Sequence, residues 1–149
     1  EYLTPLDIET IFTTTSAANN CEICLSFHAM TLMNEKVPTA SVEAIVAGGV
    51  PKEPKLERLV VATKYLNAHK GILLPREKEH LAAYGFTAEE LVEVNFVVGQ
   101  MNGFNQLYVH LIAEGVGMSK NVMVHTGFER AFFNKKNSGA WQRQPVGGI

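Results

Sequence analysis

The segment from Ala88 to Glu114 reads as one long helix that is apolar on more than one face, and few folds accommodate such a helix. Leu91, Val94, Val98 and Met101 make one stripe at helical spacing, while Phe96, Val97, Phe104, Leu107 and Leu111 add others. A helix with so little polar surface is expected to be a central one. Thr87 followed by Glu90 supplies a capping box at its start. Gly99 and Gly103 sit four apart in it and favour close approach of another helix, within or between subunits. Asn102 and Asn105 are expected to find buried hydrogen-bond partners.

The rest of the chain carries further helix signals. Thr4-Pro5 opens a helix over Pro5 to Ala18, with Leu6, Glu9, Thr13 and Ala17 on one face, although Thr13 to Thr15 are β-branched and weaken it. Asn19-Asn20 interrupts, and Asn20 is a good N-cap for a second helix from Cys21 to about Glu35, with Leu25, His28, Leu32 and Met33 facing inward. Thr39 or Ser41 caps a short helix ending at Gly48-Gly49, and Pro51 and Pro54 mark a turn. Leu56, Leu59, Val60, Thr63 and Leu66 then recur as on an amphipathic helix stopped by Gly71. Pro75 begins the next helix and Tyr84-Gly85 ends it. No strand pattern, repeat or low-complexity segment stands out, so the expected architecture is an all-α bundle.

At 149 residues the chain is long enough for one sizeable core and too short for two ordinary domains. Only 19% of it is charged, against roughly 25% in an average soluble domain, so part of the surface is expected to be covered by other subunits. No apolar run approaches the ~18 residues that span a bilayer. Nor is there a Lys/Arg stripe interleaved with aromatics, which argues against nucleic acid as a partner. The formal net charge of −2 conceals an asymmetry: the segment from Ser119 carries +4, leaving −6 on the first 118 residues. This basic tail, with Phe128, Phe132, Phe133 and Trp141, is expected to be either an arm along a neighbouring subunit or a solvated end. Because the first residue is Glu1 and not Met, the chain is expected to begin inside a longer gene product.

The two cysteines, Cys21 and Cys24, form a single Cys-x-x-Cys. A secreted fold stapled by disulfides would normally use more, so the pair points to cytoplasmic redox work or a metal site. On a helix beginning at Cys21, residues 21, 24 and 28 share one face, and Cys24 and His28 are direct neighbours. A helix N-terminus stabilises a thiolate, and an imidazole one turn away can take the thiol proton. Glu9, on the preceding helix, would fix the tautomer of His28 if the break at Asn19-Asn20 folds the two helices together. A zinc site built from Cys21, Cys24, His28 and Glu9 is chemically permissible, yet metal Cys-x-x-Cys pairs usually sit in loops and recur with a second pair. Neither a metal nor a bound cofactor is expected. His69 and His80 are expected near exposed helix ends, His110 as a satisfied core histidine, and His125 lies in the tail.

The run from Glu9 through eleven residues to Cys21-Glu22-Ile23-Cys24-Leu25-Ser26-Phe27-His28 resembles the Glu-x11-Cys-x-x-Cys-x-x-x-His signature of the AhpD-like alkylhydroperoxidases, within the carboxymuconolactone decarboxylase superfamily. The similarity continues through the Gly71 stop, the Tyr84-Gly85-Phe86-Thr87-Ala88-Glu89-Glu90 junction and Met101-Asn102-Gly103-Phe104-Asn105. It covers roughly Pro5 to Glu114. The resemblance implies an AhpD-like helical redox domain over residues 1–118, with residues 119–149 a C-terminal extension. It implies that Cys24 is the peroxidatic cysteine, deprotonated through His28 and Glu9, and that Cys21 is the resolving thiol. It implies a hydroperoxide substrate, a dithiol reductant, typically a lipoyl group on a partner protein, and assembly as a trimer or hexamer. Some members have a histidine between the cysteines where this chain has Ile23, so a relay through that position is absent and turnover is expected to be low. Local physics instead favours Cys21, nearest the helix N-terminus, as the attacking thiol. Other readings of the same scaffold are a general thiol-disulfide oxidoreductase, a non-redox decarboxylase-like enzyme and an oligomeric binding protein.

Overall fold

The computed structural model describes residues 2–113, and within them the chain forms six α-helices and no strands. They are α1 (Pro5–Ala18), α2 (Glu22–Asn34), α3 (Thr39–Val46), α4 (Pro54–Ala68), α5 (Pro75–Ala83) and α6 (Ala88–Ala113). The proposed division at residues 118 and 119, the basic and aromatic tail and His125 lie outside the described residues.

Each helix begins or ends for a local reason. Thr4 N-caps α1: its hydroxyl accepts from Asp7 N at 3.2 Å, while Asp7 Oδ2 accepts from Thr4 N at 2.9 Å. Asn20, at φ 56°, turns the chain through the left-handed region that asparagine tolerates, so α2 folds straight back along α1. Gly71 is needed twice over. Its φ is +87°, and a Cβ there would lie 2.9 Å from Asn95 Nδ2. At the start of α6 the capping box forms as expected, with Glu90 N donating to Thr87 Oγ1 at 3.2 Å and Thr87 N to Glu90 Oε2 at 3.0 Å. The boundaries of α3 differ from expectation. Neither Thr39 nor Ser41 caps it; Pro38 occupies the N-cap, and the Ser41 hydroxyl instead bonds Glu53, at the start of α4.

The central helix is α1, which packs against α2, α3, α4 and α6. This corrects the expectation that α6 would be enclosed. Along α6, Val94, Val97, Val98 and Met101 are buried as predicted, but Phe96 is 66% exposed and Phe104 and Leu107 are also exposed. Thr10, Thr13, Thr14, Thr15 and Ser16, which weaken α1 in isolation, are all buried. Three of their hydroxyls solve the burial problem locally: Thr10, Thr13 and Thr14 donate to the carbonyls of Leu6, Glu9 and Thr10, each at 2.8 Å, whereas the Thr15 hydroxyl is buried without a hydrogen-bond partner among the described residues. Small side chains with internally bonded hydroxyls let four helices approach one.

One core cluster joins α1, α4, α5 and α6 through Ile11, Leu59, Leu66, Leu81 and Val94. A second joins α2, α3 and α4 through Leu32, Val42, Ile45, Leu56 and Val60. The inward face predicted for α4 is the one observed, all five of its residues being buried. On α2, Leu32 is buried but Met33 is 44% exposed, since successive residues of a helix point about 100° apart and only one of the two can face the core. His110 is exposed, not in the core, because it lies on the side of α6 away from α1.

Burial alone pushes the Asp7 carboxyl up, but hydrogen bonds from the Thr4 hydroxyl and Thr4 N–H, together with Lys55, outweigh it and hold the group below the usual carboxylate value. A depressed folded-state value stabilises the fold above the unfolded-state pKa and loses that contribution as the solution is acidified. Asp7→Asn is therefore expected to lower the free energy of unfolding by about 1 kcal/mol at neutral pH. The gap from the native chain should close below about pH 4 in urea titrations run at several pH values.

Candidate functional site

The tight turn at Asn19-Asn20 places the end of α1 beside the start of α2. Cys21 N donates to Ser16 O at 3.1 Å, and Cys21 O accepts from Leu25 N at 2.8 Å, which makes Cys21 the N-cap of α2. Thus Cys21 precedes the helix and Cys24 lies in its first turn, a one-residue shift from the expected start. The two sulfurs are joined as a disulfide, with the Cα atoms 5.4 Å apart.

Across the same hairpin Glu9 Oε2 lies 2.8 Å from His28 Nδ1. The residues are 19 apart in sequence and meet only because α2 returns antiparallel to α1. An ionised carboxylate can only accept, so Nδ1 carries the proton and Nε2 is left as the nitrogen that can take one. The imidazole is held on its other faces by Phe12, with ring centroids 4.9 Å apart, and by Phe27 edge-on at 5.1 Å. Within α2, His28 stands one turn from Cys24. The four residues singled out from sequence are therefore assembled in one α1–α2 hairpin.

The sequence did not single out what covers the sulfurs. Cys21 is 0% and Cys24 1% exposed, packed against Met101 of α6 and flanked by Phe12 and Tyr108. Phe12 was legible in principle, since it lies one turn after Glu9 on the same side of α1. Met101 and Tyr108 required knowing where α6 crosses the hairpin.

A set of amides pins that crossing. Asn19 Nδ2 donates to Asn102 Oδ1 at 2.5 Å and to Asn105 Oδ1 at 2.9 Å; Asn67 Nδ2 donates to Asn19 Oδ1 at 3.2 Å. Asn105, 1% exposed, also donates to Ser16 Oγ at 3.1 Å. The buried partners expected for Asn102 and Asn105 are thus Asn19 and Ser16, at the base of the cysteine turn.

Among the described residues, no group of three or more His, Cys, Asp or Glu is arranged to hold a metal ion. No helix among them is long and apolar enough to cross a membrane. His69 pairs with Glu77 at 3.0 Å and His80 with Tyr65 at 2.9 Å, so both have structural partners away from the hairpin. No protein-family model, curated protein or solved structure matches the chain.

Because Met101 covers the sulfurs, Met101→Ala is expected to speed reduction of the disulfide by dithiothreitol about tenfold, since exchange requires direct access to sulfur. Quenched-flow thiol titration measures this, with Val98→Ala as a control for general loosening of the core. Equal rates in the native chain and Met101→Ala would show that α6 does not guard the pair.

Proposed function

We propose that this chain is a thiol-dependent hydroperoxide reductase of the AhpD-like kind. The observation that carries the reading is the 2.8 Å Glu9–His28 pair set one turn from Cys24, in a hairpin whose two cysteines are close enough to bond. The resemblance of the Glu9 to His28 run to that family supports it further.

In the reduced protein, His28 Nε2 takes the proton of Cys24, and Glu9 stabilises the imidazolium through Nδ1–H. The Cys24 thiolate attacks one oxygen of the hydroperoxide; the O–O bond breaks, Cys24 becomes a sulfenic acid, and the leaving alkoxide takes a proton and departs as an alcohol. Cys21 then attacks the Cys24 sulfur, forming the S–S bond and releasing water. Two thiols and a hydroperoxide yield a disulfide, an alcohol and water. An external dithiol, the lipoyl group that the resemblance implies, is oxidised as it restores the two thiols. The near-complete burial of both sulfurs favours this reading over exchange with folded protein disulfides. A small hydroperoxide or a slender dithiol arm needs only a side-chain shift at Met101, whereas a protein surface needs the helix to leave. Ile23, half-buried between the cysteines, supplies no proton relay, so turnover is expected to be slow.

The test is a coupled assay with hydroperoxide and dihydrolipoamide beside a thiol count. Peroxide should consume two thiols per chain, and His28→Ala should lower the peroxide rate about 10²-fold or more. With single variants, Cys21→Ser is expected to accumulate a sulfenic acid and Cys24→Ser is not; the reverse pattern makes Cys21 the nucleophile. No loss of thiols on peroxide addition would sink the redox reading altogether.

A further inference from the structure

Three sulfur-bearing side chains share one buried cluster, in which Met101 of α6, 2% exposed, packs against the pair formed by Cys21 and Cys24. Among the described residues the other methionines reach solvent, Met30 in part and Met33 at 44% exposure. Phe12 borders the cluster and also the His28 ring, with centroids 4.9 Å apart, so the thioether, the two cysteines and the imidazole surround one aromatic side chain. Leucine would serve as an apolar cover, whereas methionine brings a sulfur that hydroperoxides oxidise. Once Cys21 and Cys24 are joined, neither is a thiolate, and the thioether of Met101 becomes the sulfur at the site most open to oxidation.

We propose that Met101 is a second site of oxidation, restored by the cysteine pair, so that the chain acts as a methionine sulfoxide reductase toward its own Met101. The inference rests on the reading of the pair as a reactive dithiol. In the disulfide state, a hydroperoxide that reaches the site meets the thioether. The Met101 sulfur attacks one peroxide oxygen, the O–O bond breaks, and the leaving alkoxide takes a proton and departs as an alcohol, leaving a sulfoxide. A polar sulfoxide beside Phe12 and Tyr108 loosens the cover over the disulfide, which an external dithiol then reduces. The freed Cys24 thiolate attacks the sulfoxide sulfur. Oxygen passes to Cys24 as a sulfenic acid, with a proton from His28, and Met101 is released as the thioether. Cys21 then attacks the Cys24 sulfur, forming the S–S bond and releasing water. Two thiols and a sulfoxide yield a disulfide, a thioether and water. Proximity carries the transfer, since a thiolate packed against the sulfoxide needs no encounter in solution.

Peptide mass spectrometry on the full chain tests this, following one added oxygen residue by residue. The disulfide form is treated with excess tert-butyl hydroperoxide and then, after its removal, with dithiothreitol. Met33 and Met101 should both gain oxygen, and dithiothreitol should then clear it from Met101 at least about tenfold faster than from Met33, the internal measure of unassisted reduction. In the double variant Cys21→Ser/Cys24→Ser the oxygen should remain on Met101 as long as on Met33. Absence of oxidation at Met101 overturns the proposal. So does clearance at equal rates from the two methionines of the native chain, or undiminished clearance from Met101 in the double variant. Its failure is distinct from that of the peroxide reductase reading: thiols consumed by peroxide while the Met101 oxygen persists sinks this proposal alone, and the converse pattern sinks only the reductase.

Discussion

Everything at the site depends on a two-residue reversal. Asn19 closes α1 and Asn20 takes a left-handed conformation, so that α2 begins with Cys21 and returns along α1. That reversal converts a separation of 19 residues between Glu9 and His28 into a hydrogen bond, and it puts the cysteines at the closed end of the hairpin, beside the turn. Asn19 does more than terminate a helix. Its side chain ties α4 and α6 to the turn, through Asn67 on one side and Asn102 and Asn105 on the other. A partly buried amide with both its donors and its oxygen engaged is costly to move, so the position of α6 over the sulfurs is set by the residue that also sets the turn.

The second constraint is the slenderness of α1. A helix surrounded by α2, α3, α4 and α6 needs small side chains on most of its circumference, and the Thr13-Thr14-Thr15-Ser16 run supplies them. Helix propensity argues against this run, but propensity weighs only the isolated helix. In the folded chain the Thr13 and Thr14 hydroxyls return to carbonyls one turn back and the Ser16 hydroxyl accepts from Asn105 of α6. The glutamate of the candidate site therefore stands on the most tightly held helix of the bundle.

Much of this was legible from sequence. Helix α1 was predicted at its observed bounds, and the buried face of α4 and the Thr87–Glu90 box could be read from spacing and capping chemistry alone, because those signals are local. The four residues of the hairpin could be grouped once the reversal at Asn19-Asn20 was granted. The misreadings share a cause. Apolarity around the whole of α6 was read as enclosure, and His110 was drawn into the core with it, whereas the described residues leave one apolar face of α6 exposed. Met101 escaped notice as a cover for the sulfurs because its stripe is indistinguishable from ordinary core. Which of several buried residues touches a sulfur is a matter of helix crossing, and crossing is a long-range property.

The disulfide itself encloses a very short loop, since its cysteines are three positions apart. Chain-entropy arguments assign such a loop only about 2 kcal/mol, against nearly 5 for a closure of a hundred residues. The six helices are held by their packing and their amide cluster, with the S–S bond adding little. The cycle proposed for this site would thus open and close a bond on which the rest of the fold leans only lightly, as a hinge pin can be drawn from a door whose frame stands without it.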